Sequence, residues 1–224
     1  FMLRMKSGRP WVRVKSAISL DGRTALRNGD SKWITGEAAR RDVQLWRARS
    51  SAILTGIGTV LADDPRMDAR IDEAVQQPVR VIVDSRWRTP AHSRILDDPG
   101  TALIAGGTPD TVPGELESRG VRCLPLPDGE GRVDLAALLR HLASLEINEV
   151  QVEAGARLCG ALLDQHLVDE LLIYQSSAVL GDDARGLFSV APLESMAGRT
   201  HFSILETAQV GDDLRIRLKP ENRG

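Results

Sequence analysis

Three stretches of the chain place glycine or polar residues where an apolar run stops, a fourth sets a lysine within such a run, and each suits a part of a nucleotide-dependent reaction. The most informative reads Val152-Glu153-Ala154-Gly155-Ala156-Arg157-Leu158-Cys159-Gly160-Ala161. A strand there ends in a carboxylate, passes through glycine and enters a helix whose free N–H groups suit an anion such as a pyrophosphate. Gly160 allows that helix to pack closely on a neighbour. Glu153, at the strand tip, fits a hydrogen-bond acceptor, an acid–base group or a structural carboxylate beside the helix start, and its residue type does not choose among them. In the second stretch, Gly56-Ile57-Gly58-Thr59-Val60-Leu61 follows the dinucleotide fingerprint only up to its third glycine, which is Leu61 here. The stretch Leu61-Ala62-Asp63-Asp64-Pro65 reads as a polar turn at the carboxyl end of a strand, where α/β sheets bind ligands. Third, Val83-Asp84-Ser85-Arg86-Trp87-Arg88 sets guanidinium groups beside a serine. That pattern suits the 2′-phosphate that separates NADP from NAD, and equally suits plain solvent exposure. Fourth, Lys15 interrupts an apolar strand, where a lysine needs a reason.

The elements that must position these groups follow from periodicity. Short Val- and Ile-rich runs at 12–18, 52–55, 79–84, 101–105 and 149–153 predict five strands, several closing on Gly, Asp or Ser. Thr35 is placed as an N-cap, with Glu37 in the first turn of a helix through Ala48 that carries Ala39, Val43 and Trp46 on one face. The Arg-rich remainder of that helix reads as a solvated face. Further helices are predicted at 135–145 and 157–165, with a short one inside 109–120 after the turn Gly106-Gly107-Thr108-Pro109. The last third changes character: strands at 170–178, 202–210 and 214–219, the last two joined by a turn at Gly211-Asp212-Asp213. Helical and strand segments alternate early and antiparallel sheet closes the chain, so the fold class is α/β with a mixed, mostly parallel sheet and antiparallel C-terminal strands.

Composition narrows the chemistry. With 29 Lys+Arg against 31 Asp+Glu the net charge is −2, and no basic stripe of the kind nucleic acid needs is present in the sequence. Cys123 and Cys159 form no CxxC pattern, and His92, His141, His166 and His201 show no paired ligand spacing, which argues against a disulfide framework and against a metal site. No apolar run approaches the ~20 residues of a membrane span, and the first residues lack a signal peptide's apolar region, so a cytoplasmic protein is expected.

Taken in order, eight blocks resemble the reductase domain of the bifunctional riboflavin-biosynthesis deaminase/reductase, the RibD family. They are Arg9-Pro10-Trp11-Val12-Arg13-Val14-Lys15; Ser19-Leu20-Asp21-Gly22-Arg23; Ser31-Lys32-Trp33-Ile34-Thr35; Ala39-Arg40-Arg41-Asp42 through Arg47-Ala48; Thr59-Val60-Leu61-Ala62-Asp63-Asp64-Pro65; Val83-Asp84-Ser85; the 153–161 loop; and Val168-Asp169-Glu170 leading to Leu180-Gly181. The resemblance implies a dihydrofolate-reductase-like three-layer fold over 9–220, with 1–8 the remnant of a linker from a missing zinc deaminase domain. It implies NADPH-dependent reduction of the ribose of 5-amino-6-(5-phosphoribosylamino)uracil to the ribityl form, by hydride transfer to C1′ of the opened sugar. NADPH would meet Ala17, Trp33, Thr59, Asp63, Ser85, Gly155, Ala156, Arg157, Leu158, Cys159, Gly160 and Ala161. The phosphoribosylamino-pyrimidine would meet Ser31, Arg47, Met67, Arg70 and Glu153, the two arginines serving its 5-phosphate. Lys15, Glu153 and Asp63 are the candidate catalytic groups, and a homodimer is the expected assembly. The chain departs from the family pattern at Trp46 and at Gly155-Ala156-Arg157, where proline and threonine commonly follow the glycine, which bears on cofactor affinity. Alternatives are a related reductase of a pterin or a diaminopyrimidine, and a non-catalytic nucleotide-binding module that serves oligomerisation.

Overall fold

The computed structural model describes residues 1–97, 102–108 and 112–221. In chain order it opens with α1 (Met2–Ser7), β1 (Trp11–Ile18), β2 (Arg23–Ala25), α2 (Glu37–Arg49), β3 (Ala52–Gly56) and α3 (Ile57–Asp63). The middle holds β4 (Val79–Val83), β5 (Ala102–Gly106), α4 (Gly114–Ser118), β6 (Arg122–Pro125), α5 (Leu135–Ser144) and β7 (Glu149–Val152). The chain closes with α6 (Ala156–Asp164), β8 (Glu170–Gln175), β9 (Arg185–Gly186), β10 (Phe202–Val210) and β11 (Asp213–Pro220). These fall into two compact units, Phe1–Trp11 with Leu45–Ala154, and Val12–Gln44 with Gly155–Gly224.

The first unit is built on parallel strands in the order β7-β3-β4-β5-β6. Ile53, Ile57, Val60, Met67, Ile82, Trp87, Ile95, Leu96 and Ile104 bury together beside it, and the alternate residues Ala52, Leu54, Leu103 and Ala105 are buried as well, which is why β3 and β5 read as apolar runs and not as alternating ones. α5 begins where Asp134 accepts from the Ala137 N–H at 2.8 Å and buries Leu135, Leu138, Leu139 and Leu142, the spacing of one helical face. Each such leucine contributes roughly 2 kcal/mol of burial before entropy is counted.

In the second unit the order is β10-β11-β8-β1, with β1 and β8 parallel and the remaining pairs antiparallel. Register sets Arg13 opposite Glu170, Lys15 opposite Leu172 and Ala17 opposite Tyr174. On β11, Arg215 stands opposite Tyr174 and Arg217 opposite Leu172, while Glu206 of β10 stands opposite Arg217. Side chains alternate along a strand, so one face of this sheet collects all of these residues. Gly211, with φ at 62°, makes the turn between β10 and β11 in the left-handed region glycine enters without strain.

Two expectations shift. The polar turn expected at 61–65 is helical through Asp63, the last residue of α3, because Ile57 and Val60, three apart, both bury on the core. α2 begins at Glu37, and Gly36 provides the first helical carbonyl, to Arg40 N–H at 3.2 Å, in place of Thr35. α1, β2, β6 and β9 are additions to the sequence reading, short elements whose length gives periodicity little to work on. The strand expected at 101–105 is β5, with Thr101 outside the described residues, and α4 lies inside the stretch expected at 109–120, whose Pro109 is likewise outside them.

Candidate active site

Glu153 follows β7 directly, its N–H donating to the Leu54 carbonyl at 2.9 Å and its own carbonyl accepting from Thr55 Oγ1 at 2.8 Å. The end of β3 therefore fixes the backbone from which the carboxylate projects. That carboxylate is gripped from α2: Arg47 Nε donates to Oε1 and Nη2 to Oε2, each at 2.8 Å. Arg47 Nη1 donates to the Asp68 carbonyl at 3.0 Å, and Nη2 lies 3.8 Å from Met67 Sδ. Gln151, fully buried two residues earlier on the same strand face, adds Nε2 to Oε1 at 2.9 Å. Both charged side chains are 11% exposed. Burial alone would lower the Arg47 pKa, but the charge and hydrogen bonds of Glu153, with the charge of Asp68, outweigh it and raise it. Two oxygens filled by a fork of donors leave Glu153 a fixed acceptor.

The loop past α3 completes this cluster. Met67 is 3% exposed yet holds φ at 53°, a conformation a bulky side chain adopts only when its surroundings impose it. Arg70 reaches Asp68 Oδ1 at 2.5 Å and Arg66 reaches Oδ2 at 3.1 Å. Burial would raise the Asp68 carboxyl; the charges of Arg70 and Arg66, with its hydrogen bonds, hold it below its ordinary value. Thr59 and Asp63 share α3, the former half-buried and the latter exposed at the last turn. Ser85 Oγ accepts from the Val133 N–H at 3.3 Å, while Arg86 and Arg88 face solvent. Trp87 packs so closely over Gly106 that a Cβ there would lie 2.0 Å from the indole ring.

In the second unit, Gly155 caps α6 with no side-chain hydrogen bond, and Arg157 is exposed in the helix's first turn. A Cβ on Gly155 would meet nothing within 4 Å, whereas one on Gly160 would lie 2.1 Å from the Ser189 carbonyl oxygen. Gly160 thus holds the Ser189 segment against α6, where the Ser189 N–H also donates to the Ala156 carbonyl at 3.0 Å. Leu158 and Ala161 are half-buried and Cys159 is buried. Open N–H groups plus a guanidinium form a donor set that fits a pyrophosphate. Ser31 is half-buried, and Trp33 is 70% exposed, its ring covered by the Arg40 guanidinium at 4.5 Å while Arg40 Nη1 donates to the Thr35 carbonyl at 2.7 Å. Lys15 and Ala17 point the same way from β1, and Lys15 Nζ lies 5.9 Å from the centroid of the Tyr174 ring.

Of the expected residues, Arg47, Met67 and Glu153 come together directly, and Arg70 joins them through Asp68. Gln151, Asp68 and Tyr174 were not singled out from sequence. Gln151 carries the clearest signal, a polar residue set between Val150 and Val152 two before Glu153. Among the described residues no cluster of His, Cys, Asp and Glu could hold a metal ion, and no helix is long and apolar enough to cross a membrane.

Comparison with known proteins places these features. The family model described as the RibD C-terminal domain matches residues 10–216. The riboflavin biosynthesis protein RibD of Escherichia coli K12 is 43% identical over 97% of this chain and 62% of its own. A solved structure of Acinetobacter baumannii RibD superposes with a TM-score of 0.89 at 41% identity, over 99% of this chain and 60% of that one. The chain thus spans about six-tenths of the length of these relatives. A shorter relative from Buchnera aphidicola of Acyrthosiphon pisum is called 5-amino-6-(5-phosphoribosylamino)uracil reductase; it is 33% identical over 88% of this chain and 99% of its own length.

Proposed function

Because the chain belongs to the RibD C-terminal domain family, we propose that it catalyses the NADPH-dependent reduction of 5-amino-6-(5-phosphoribosylamino)uracil to 5-amino-6-(5-phosphoribitylamino)uracil. The observation that carries this reading is the Buchnera reductase, matched over 99% of its length: a protein of this extent alone bears the reductase name.

The residues support particular roles. NADPH, when bound, supplies the hydride that reaches C1′ of the sugar. The start of α6, with Arg157, would take its pyrophosphate, Gly155 allowing close approach of the backbone. Ala17, Trp33, Thr59, Asp63 and Ser85 would complete its contacts, and Ser31 and Met67 would line the substrate. Glu153, filled by Arg47, acts as the fixed acceptor for the sugar's hydroxyl or amino hydrogens as the ring opens. Lys15 is the cation that donates a proton as the ring oxygen leaves C1′. Arg70, exposed beside Asp68, is the guanidinium suited to the 5-phosphate, whereas Arg47 spends its donors on Glu153 and the backbone. In the same reading, residues 1–8 are linker, 9–220 form the reductase domain, and the working protein is a cytoplasmic homodimer joined to a zinc deaminase domain.

NADPH oxidation, followed at its absorbance band with the deaminated ribosylamino-uracil phosphate beside dihydrofolate and the non-deaminated pyrimidine, tests the proposal. Turnover of the first compound alone is the expected result. Turnover of dihydrofolate instead would point to a pterin reductase, and NADPH binding without oxidation of any of them would point to a non-catalytic nucleotide-binding module.

A further inference from the structure

We propose that Tyr174 is a positioning residue for Lys15: its ring face fixes where the ammonium sits, and its hydroxyl, anchored to Asp42, fixes the direction in which the ring projects. The proposal rests on the reading of Lys15 as proton donor in the reduction.

Tyr174 is the one tyrosine of the chain and is fully buried. A buried phenol needs a partner, and Tyr174 donates to Asp42 Oδ2 at 2.5 Å. The same oxygen accepts from Arg215 Nη1 at 2.8 Å, and Arg215 Nη2 reaches Glu206 Oε1 at 2.5 Å. Arg217 bridges Glu206 and Glu170, at 2.9 and 2.7 Å, and Arg13, 2% exposed, closes the line on Glu170 at 3.0 Å. The phenol hydroxyl is thus the end of an alternating row of charges that runs across β10, β11, β8 and β1.

An apolar side chain at 174 would fill the same space without requiring Asp42 and Arg215 beside it, and buried ionic rows are commonly no more stable than apolar packing. What the row does supply is orientation. With the hydroxyl held at Asp42 and the ring buried, the ring's axis and centre are fixed, and Lys15 Nζ of the neighbouring strand lies over the ring, 5.9 Å from its centroid. A lysine has four rotatable bonds, and a proton donor that wanders by an ångström loses much of its rate. Burial, and then the Asp42 carboxylate, push the phenol's own pKa upward, so the hydroxyl remains a donor to Asp42.

Three variants read the effect in the NADPH assay: Lys15→Ala, Tyr174→Phe and Tyr174→Leu. Tyr174→Phe keeps the ring and loses only the anchor, so kcat should fall by about 5-fold; Tyr174→Leu loses the ring face, and kcat should fall by about 10²-fold with KM and NADPH affinity within about twofold of the parent. If Tyr174→Leu is folded and matches the parent in kcat while Lys15→Ala is inactive, the positioning role is overturned and the reading of Lys15 stands. If Lys15→Ala is fully active, both fall. A measurement on the parent protein is independent of how the variants fold. Only four lysines are present, so reductive methylation with ¹³C-formaldehyde gives few dimethyl-lysine signals, and loss of one in Lys15→Arg assigns it. A ring-current displacement of the Lys15 methyl resonance from its free-lysine position is expected, and a resonance at the free position overturns the proposal.

Discussion

The guanidinium of Arg47 meets both carboxylate oxygens of Glu153 at 2.8 Å while its third nitrogen reaches the Asp68 carbonyl at 3.0 Å. One side chain from α2 thereby ties the tip of β7 to the loop that carries Met67, Asp68 and Arg70. The planar fork is what makes this possible, since a single ammonium has no set of separate nitrogens spaced to meet both carboxylate oxygens and a carbonyl at once. A positively charged residue that resembles a phosphate ligand in sequence is here largely consumed in aiming a carboxylate.

Replacing Arg47 should therefore damage stability and activity together. Arg47→Ala leaves Glu153 buried without its fork and should cost about 3 kcal/mol, and Glu153→Ala a similar amount, whereas the double variant should cost less than the two added together. Urea unfolding of the four proteins gives the coupling directly. Arg47→Lys preserves charge but not the fork, and kcat/KM should drop by more than about 10-fold. Additive stability effects would show that the pair is not energetically coupled.

The glycines of the 155–161 segment separate fold from cofactor. A methyl group on Gly160 runs into the Ser189 backbone, so Gly160→Ala should cost about 1–3 kcal/mol by overpacking. On Gly155 the same methyl meets open space, and the φ of −74° and ψ of 169° suit any residue. Gly155→Ala should then leave the melting temperature unchanged and weaken NADPH binding by crowding the approach. Unchanged NADPH affinity in a fully folded Gly155→Ala protein would remove the pyrophosphate from this loop.

What could be read in the sequence was local. The β3 and β5 runs are apolar and the β4 and β7 runs rich in Val and Ile, enough to announce strands, and the Glu153-to-Gly160 sequence announces a carboxylate, a cap and a helix. The hairpin at Gly211 was equally plain. What could not be read were relationships between distant positions. Glu153 and Arg47 are more than a hundred residues apart, and no periodicity links them; the same holds for Tyr174 and Asp42. α3 was missed because Gly58 within it and Gly56 and Pro65 beside it are turn residues by type, and only the burial of Ile57 and Val60 settles the matter.

Arg157 is exposed in the first turn of α6. If it adds charge to an anion site there, Arg157→Ala should weaken NADPH binding by about 5-fold at low salt, and by less as ionic strength rises and screens the contact. Fluorescence titration of NADPH across a salt series checks this. A salt-independent effect would indicate a packing role instead.

Acid should unlatch one corner of the second unit through Asp21. Its Oδ1 accepts from Ser19 Oγ at 2.5 Å and from the Leu180 N–H at 3.1 Å, and its Oδ2 from the Gly181 N–H at 2.8 Å. The turn after β1 is thus fastened to the segment after β8. The Ser19 hydroxyl, then the Leu180 N–H, hold the carboxyl at about 2 against an ordinary 3.8, with burial opposing them. A carboxyl whose folded pKa lies below its unfolded one stabilises the fold above the unfolded value and ceases to do so as pH falls through the folded one. Asp21→Asn keeps one acceptor and cannot ionise, so the gap in urea midpoint between the parent and this variant should be constant above pH 3.8 and close as pH falls toward about 2. Asp68, Asp128, Glu170 and Glu206 also have lowered pKa values, so both proteins will lose stability in acid, and only the difference between them reports Asp21. A gap of the same size at both ends of that range would mean that the latch acts through shape and not through its charge.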